Sequence, residues 1–410
     1  MRYEQLTPAE ALGTYCDWLL EQQFEDESGR FFRIANAENQ PLREWYMIFY
    51  GCRSLLLASQ LLNQPTYAEA TWKYFDDYVG EQLPNGGFTS NSRNQPTSTL
   101  GRREFFDILR FGKVNLADHG TNTHALIQAA ATTSDPERRQ RYLDAVKRWY
   151  DGWVSIWALP NGTYGNGIWI GQKLNAPYTM AINICTSFAA YALVTGDREF
   201  MENAETFALF QCREKWLPDG RPIRMNCYPL PEEDSLIDDY SRMFYLSEAL
   251  CWVHHASRRE EVRSVIAATL KNWIFGECGI LKQWTKGMGW FRFSSPGFPL
   301  PSGKVGTFDT VPSLPWQLAK SAAIPHVFSC YLNHIEESAE LREYFEEGVR
   351  FLSHPLRARS LGIGIEPGLS CSTCSVQATG FAGLSLAEAV RPDSAFQAFG
   401  PSIGPGPESA

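Results

Sequence analysis

A sixfold repeat of two helical patterns constrains the fold of this 410-residue chain more than any other feature. In each repeat, an amphipathic stretch with charges along one face is followed by a stretch that is apolar on all sides. The amphipathic helices are predicted at 8–22, 66–82, 137–154, 198–215, 259–274 and 339–353. The apolar helices are predicted at 44–62, 119–132, 179–194, 238–255, 319–334 and 372–389. Because a helix without a polar face must be enclosed by protein, the apolar set is predicted to form an inner layer and the amphipathic set an outer layer.

The connections between these helices alternate in length. Each inner helix is followed by a short turn with turn-forming residues, such as those at 63–66, 133–136 and 194–197. Each outer helix is followed by a long loop, and these loops lie at 23–43, 83–117, 155–177, 216–236, 275–317 and 354–370. The pattern predicts an all-α fold, an (α/α)6 toroid of six helical hairpins with the long loops on one rim. Long loops in a compact domain are usually functional, so the site is predicted at this rim.

Composition and the extent of the repeats limit the number of domains, the kinds of partner and the cellular environment. We expect one domain over 1–390, followed by a loosely ordered tail at 391–410 that is rich in Pro and Gly. The net charge of −9 argues against a nucleic-acid partner and against a basic membrane-binding surface. No apolar run reaches the roughly 18 residues that a transmembrane segment needs. Ten dispersed cysteines and the lack of a secretory signal predict a soluble, cytoplasmic protein with buried thiols.

Ionisable residues in the long loops, or in the first turn of an inner helix, are the candidates for catalysis. Asp118 and His119 begin the second inner helix, where an aspartate is a natural N-cap and an imidazole can orient a carboxyl group. Asp107 lies among aromatic and aliphatic residues, where burial would raise the pKa of the carboxyl group and suit it to general acid catalysis. Asp239 begins the fourth inner helix, and Asp309 lies in the 275–317 loop. Helix capping for Asp118 and Asp239, or an ion pair for Asp107, are the structural alternatives.

Aromatic residues at the same rim are predicted to line the cavity and bind the substrate. They are Trp45, Tyr46, Phe49, Tyr178, Tyr240, Phe244, Trp290 and Trp316. Aromatic faces attract cationic centres, by about 1–2 kcal/mol each when desolvated. The chain contains no phosphate-binding loop, dinucleotide fingerprint, serine elbow or zinc-protease motif, so neither a cofactor nor a metal is expected.

The stretch at 118–126, Asp-His-Gly-Thr-Asn-Thr-His-Ala-Leu, resembles the acidic helix start of the class II, protonation-type terpene cyclases. The loop at 82–88 is similar to the Gln-Gly-Trp repeat of that family, with Phe in place of Trp, and 374–382 is similar to its closing inner helix. The kind resembled is the single-domain bacterial and cyanobacterial one related to squalene–hopene cyclases. The full Asp-x-Asp-Asp cluster is absent, so Asp107, Asp118 and Asp309 all stay open as the acid.

This resemblance implies a metal-independent isomerase that protonates a prenyl or meroterpenoid chain and steers carbocations in an aromatic cavity. The substrate would be an apolar, prenylated small molecule. His119 or Asp239 would tune the acid, and the 275–317 loop would close the cavity.

The turn at 195–197 and the loops with Asn-Gly or Asp-Gly are similar to those of a second family. These are the α/α-barrel carbohydrate enzymes, including unsaturated glucuronyl hydrolases and sugar 2-epimerases. This resemblance implies a hydrolase, lyase or epimerase that uses Asp118 and Asp239 as acid and base. We favour the cyclase from the sequence, because the predicted cavity offers few of the paired polar groups that a sugar requires.

Overall fold

The structure is a computed structural model. It describes residues 4–26, 29–33, 41–89, 116–165, 179–214, 216, 220, 243–277, 279–282, 284–285, 290–291, 298–299, 305–306, 322–354 and 374–399. In chain order its helices are α1 (Pro8–Glu21), α2 (Trp45–Leu61), α3 (Pro65–Glu69), α4 (Trp72–Gly80), α5 (Leu116–Thr132), α6 (Pro136–Gly152), α7 (Ile184–Thr195), α8 (Arg198–Glu214), α9 (Met243–Ala256), α10 (Glu260–Phe275), α11 (Ile324–His334), α12 (Ala339–Leu352), α13 (Cys374–Val390) and α14 (Ser394–Gln397). Short 3-10 helices span Val154–Trp157, Thr179–Asn183 and Ile280–Lys282.

The inner layer is a closed ring of the six helices α2, α5, α7, α9, α11 and α13. Each of them packs against the next, and α13 returns to pack against α2. The helices α1, α4, α6, α8, α10 and α12 surround this ring and pack against its members. The predicted (α/α)6 toroid is therefore confirmed, with the apolar helices inside and the amphipathic helices outside.

Local sequence signals explain where the outer helices begin. Thr7 caps α1 in a reciprocal box with Glu10, and the next residue is a proline. Asp135 caps α6 by accepting two backbone N–H groups, and Ser338 accepts one at the start of α12. Gly196 ends α7 in the left-handed conformation, with φ of 78°. The short turns of one rim are thus specified residue by residue.

Two glycines allow the inner helices to pack closely. A Cβ atom at Gly120 would lie 2.4 Å from the backbone of Asn183, and one at Gly380 would lie 2.4 Å from the backbone of Tyr50. Since backbone atoms cannot move aside as a flexible side chain can, only glycine fits at these two crossings.

The helix boundaries differ from prediction at two places that matter for the site. The predicted outer helix 66–82 is divided into α3 and α4, and at the break the Thr71 hydroxyl donates to the carbonyl of Ala68 (2.7 Å). The helix α5 begins at Leu116, three residues earlier than predicted, because Leu116 and Ala117 are buried against the ring. Asp118 therefore lies within the first turn of α5 and is not its N-cap.

Three two-stranded antiparallel hairpins lie in long loops. The pair β1 (Gln23–Asp26) and β2 (Gly29–Phe32) follows α1, with Gln23 opposite Phe32. The loop that follows α10 contains β3 (Trp284–Thr285) paired with β4 (Trp290–Phe291), and β5 (Phe298–Pro299) paired with β6 (Val305–Gly306). Apart from these strands and residues 275–277 and 279–282, the loop 275–317, which was predicted to act as a lid, lies outside the described residues.

The chain remains folded beyond the predicted domain end at 390. Residues 394–397 form α14, and the side chains of Phe396 and Phe399 are buried. Residues 391–399 are therefore not the loose tail that the sequence predicted, whereas 400–410 lie outside the described residues. The apolar side chains of these phenylalanines, spaced three residues apart, supply the burial that holds the segment in place.

Two further observations bear on the predictions about membrane segments and cysteines. Within the described part of the chain, no helix has the length and the apolar character to cross a membrane. Six cysteines there are free and buried, namely Cys16, Cys52, Cys185, Cys212, Cys251 and Cys330.

Candidate functional site

The helix α2 divides its aromatic residues between the two layers. Phe49 stacks on Phe75 of α4, with ring centroids 4.9 Å apart, and Trp45 meets Tyr78 of the same outer helix edge to face at 5.3 Å. Trp45 and Phe49 are one helical turn apart and share this outward face. The prediction that they line the cavity is wrong, because both pack between the inner and outer layers.

Two charged side chains meet across the axis of the ring. Arg53 of α2 donates to the carboxylate of Glu248 of α9, with 2.5 Å between Nη2 and Oε1. These helices are the first and fourth of the six, so the pair joins opposite sides of the ring. The side chains are 2% and 1% exposed, a burial at which either charge alone would carry a large desolvation cost. At this level of the helices, the ion pair therefore spans the interior of the ring from α2 to α9.

Two histidines lie at the same level as this ion pair. Arg53, His124, Glu248 and His326 each stand eight residues before the last residue of their helices, or about 12 Å at 1.5 Å per residue. The Nε2 atom of His326 is 3.8 Å from the Glu248 carboxylate. Burial, and then the charge of Arg53, lower the pKa of His124 well below its usual value. We call these four residues the floor ring.

Two tyrosines lie one turn closer to the long-loop rim. Tyr50 precedes Arg53 by three residues, Tyr245 precedes Glu248 by three, and their ring centroids are 6.2 Å apart. Burial raises the pKa of both hydroxyl groups well above the usual value, and the negative charge of Glu248 adds to the effect. Both tyrosines are therefore neutral.

Side chains of the neighbouring helices hold these hydroxyl groups in place. The hydroxyl groups of Tyr50 and Thr121 are 3.4 Å apart, and the Gln377 side chain donates to the Tyr245 hydroxyl at 3.1 Å. Phe244 packs beside the two tyrosines. It is fully buried, and its ring centroid lies 5.2 Å from that of Phe381. Among the predicted lining residues, Phe244 thus does face the axis.

Asp118 is half-buried near the mouth of this axial column. Its charge contributes, after burial and closer groups, to raising the pKa of Tyr50, Tyr78 and Tyr245. Tyr46 is half-buried on the same side and acts on the pKa of Tyr245 in the same way. From the rim inward, the described site therefore presents a carboxyl group, two neutral phenols and a buried ion pair.

The neighbouring His119 faces the outer layer. Its Nδ1 atom accepts the indole N–H of Trp149 from α6 at 3.0 Å, which leaves the proton of the neutral ring on Nε2. Burial lowers the pKa of His119 to about 3, and the backbone of Phe88 opposes this only in part. His119 is therefore a neutral, fully buried residue that joins α5 to α6, and the structure does not place it on the axis beside the carboxyl group of Asp118.

Most of the other predicted site residues cannot be placed relative to the axis from the described part of the chain. Asp107, Tyr178, Asp239, Tyr240, Asp309 and Trp316 lie outside the described residues. Trp290 lies in β4, where its backbone pairs with Thr285. In the described part of the chain, no group of three or more His, Cys, Asp and Glu residues is arranged to hold a metal ion.

The residues of the floor ring lie deeper in the inner helices than the long loops and first turns in which catalytic residues were predicted. A signal was present, since Arg53 and Glu248 are single charges in otherwise apolar inner helices. A charge that is enclosed on all sides needs a partner of opposite charge. Aligning the inner helices at their C-terminal ends would have brought Arg53, His124, Glu248 and His326 into register.

No protein-family model matches the sequence, and no curated protein matches it. Several solved structures are similar in fold. An inactive variant of the α-1,6-mannanase of Salegentibacter sp. HEL1_6, in complex with α-1,6-mannotriose, is 13% identical with a TM-score of 0.59, and the match covers 93% of this chain and 100% of that one. A sugar epimerase from a ruminal bacterium is 11% identical with a TM-score of 0.60, covering 83% and 85%. An unsaturated glucuronyl hydrolase specific for heparin is 9% identical with a TM-score of 0.56, covering 93% and 96%.

These similarities correct the functional prediction. The three solved structures named above are sugar enzymes and none is a terpene cyclase, so the prediction of a terpene cyclase is wrong, and with it the prenylated substrate and the role in meroterpenoid biosynthesis. The axis also differs from the predicted aromatic cavity, since it carries hydroxyl, amide and charged groups that bond to one another. The second resemblance, to α/α-barrel carbohydrate enzymes, is confirmed for the fold.

Proposed function

We propose that the protein is a carbohydrate-active enzyme that binds a neutral saccharide on the ring axis and hydrolyses a glycosidic bond. The observation that carries this proposal is the axial column itself, in which Asp118, the Tyr50 and Tyr245 hydroxyl groups, and the Arg53–Glu248 pair lie at successive levels. The similarity of the fold to a mannanase and to a glucuronyl hydrolase supports it.

A saccharide needs fixed hydrogen-bond partners and flat apolar surfaces. Tyr50 and Tyr245 provide both, because each combines an aromatic face with a hydroxyl group. Thr121 and Gln377 contact these hydroxyl groups and orient them. The raised pKa values keep both phenols protonated, so that they remain hydrogen-bond donors at every physiological pH.

Hydrolysis of a glycoside usually requires two carboxyl groups, one acting as general acid and the other as base or nucleophile. We assign the acid to Asp118 at the mouth and the second role to Glu248, whose charge is compensated by Arg53. Asp239, which the sequence offered as the partner of Asp118, lies outside the described residues and is tested beside Glu248.

The charges on the axis favour a neutral sugar. Arg53 is already paired with Glu248 and both tyrosines are uncharged, so the positive charge of Arg53 is not free for a substrate carboxylate. A uronic acid would have to leave water without a positive partner, which is unfavourable for a charged group. Neutral hexosides are therefore the proposed substrate class.

The test is an assay of purified protein against α-1,6-mannotriose, cellobiose and unsaturated uronides, with chromatographic detection of new reducing ends and of epimers. We expect hydrolysis of a neutral oligosaccharide, and a fall in kcat of about 100-fold or more in Asp118→Asn and Glu248→Gln. Glu205→Gln is the matched control, since Glu205 is 3% exposed and accepts from Ser257 (2.5 Å), but lies in the outer layer. Its kcat should be unchanged.

Three outcomes would contradict parts of the proposal. An epimer formed without new reducing ends would replace hydrolysis by epimerisation. Full activity in Glu248→Gln with loss in Asp239→Asn would move the second role to Asp239. Preferential turnover of the uronide would refute the neutral substrate class.

A further inference from the structure

The segment 391–399 closes the short-turn rim of the ring, and we call it the C-terminal plug. Phe396 stacks on His255 with ring centroids 4.1 Å apart, and meets Trp252 edge to face at 4.7 Å. Phe399 meets the same indole edge to face at 4.8 Å. These partners lie in the last turns of α9, so the plug covers the end of the ring that faces away from the long loops.

Glu388, near the end of α13, anchors the plug. One carboxylate oxygen accepts from the backbone N–H of Ala395 (3.0 Å) and the hydroxyl of Ser394 (3.2 Å). The other accepts from the backbone N–H of Asp393 (2.9 Å) and the hydroxyl of Ser329 (3.1 Å). Three of its four donors therefore come from the plug.

The same plug reaches the floor ring at two points. The Nδ1 atom of His326 is 3.7 Å from Glu388, while its Nε2 atom is 3.8 Å from Glu248. Phe399 lies 5.0 Å from the ring of His124, the other histidine of the floor ring. A continuous path of buried side chains thus runs from the plug to the carboxylate that we assign to catalysis.

We propose that the C-terminal plug positions the floor of the axial site, with Glu388, His326 and Phe399 as positioning residues. If the plug leaves, Glu388 keeps only the Ser329 hydroxyl among its four donors, and an unsatisfied buried carboxylate draws a further donor towards itself. His326, whose Nδ1 atom is 3.7 Å away, is in place to become that donor and would turn away from Glu248. The inference rests on the proposed function only for its kinetic consequence.

The experiment compares Phe399→Ala with Phe200→Ala in the full chain. Phe200 is also fully buried, but it packs in the outer layer, 4.3 Å from the ring of Tyr191. The first readout needs no substrate. It is the 13C NMR titration of the Glu248 carboxyl group, assigned through Glu248→Gln. Chymotryptic cleavage after Phe396, whose ring is buried while the plug is in place, reports in parallel whether the plug is seated.

We expect Phe399→Ala to shift the Glu248 titration and to accelerate chymotryptic cleavage after Phe396, with neither change in Phe200→Ala. With the saccharide identified above, kcat should fall by about tenfold in Phe399→Ala while KM changes little, because small displacements of a catalytic group act on the chemical step. Should Phe399→Ala not fold, Phe399→Leu retains most of the apolar volume and serves in the same comparison.

The two proposals fail separately. An unchanged Glu248 titration in a variant whose plug has become cleavable overturns the positioning role, whatever the enzyme hydrolyses. A shifted Glu248 titration in a protein that hydrolyses no saccharide supports the positioning role and refutes the proposed function.

Discussion

The Arg53–Glu248 pair allows a sharp thermodynamic test of the floor of the site. The perturbation is a double-mutant cycle made of Arg53→Met, Glu248→Leu and the combination of both. Each single substitution leaves one charge buried in a ring where its side chain is at most 2% exposed. We expect each to reduce the free energy of unfolding by about 3–5 kcal/mol, which is the usual cost of breaking a buried pair from one side.

The double variant should behave differently. It removes both charges and replaces them with apolar side chains of similar length, so no buried charge is left without a partner. Substitutions of this kind are often neutral or stabilising, and we expect the double variant to lie within about 2 kcal/mol of the wild type. The hydrolytic activity that we propose should nevertheless be lost, since Glu248 is absent.

The assay is urea unfolding followed by circular dichroism, with the Arg213–Glu261 pair of the outer layer as control. Its side chains are 49% and 60% exposed, so substituting Arg213 should cost about 1 kcal/mol or less. The reasoning is refuted if Arg53→Met costs no more than Arg213→Met. It is also refuted if the double variant loses as much stability as the two single variants together.

Three further predictions follow from the packing. Burial holds the pKa of His119 at about 3 and that of His254 at about 4, below the unfolded value of 6.5, so both imidazoles stay neutral in the folded protein. Their contribution to the free energy of unfolding, measured by urea titration, should therefore be at its maximum above pH 6.5 and should fall as the pH drops towards 4. Gly380→Ala should lower the unfolding free energy by about 1–3 kcal/mol, because its Cβ would overlap the Tyr50 backbone; an unchanged melting temperature would contradict this. Thr7→Ala should cost about 1 kcal/mol in the same assay, and Thr7→Ser should restore most of it.

The terpene cyclase prediction relied on aromatic residues whose direction relative to the ring axis was not known. The sequence shows that Trp45, Phe49 and Tyr50 lie on an apolar inner helix, but it does not show which of them faces the axis. In the structure, Trp45 and Phe49 pack against the outer helix α4, and only Tyr50 faces inward. Two residues of the predicted aromatic lining, Trp45 and Phe49, thus belong to the packing between the layers.

From the sequence alone, the six helical hairpins, their two layers and the position of the long loops could be predicted, because helical periodicity and turn chemistry are local properties of the chain. Asp118 could be located near that rim for the same reason. The pairing of Arg53 with Glu248 could not, since 195 residues separate them and an inner helix enclosed on all sides carries no polar stripe to mark the axis. Only the closure of the ring decided which side chains meet at its centre. The tertiary structure likewise decided that residues 391–399 cover the short-turn rim.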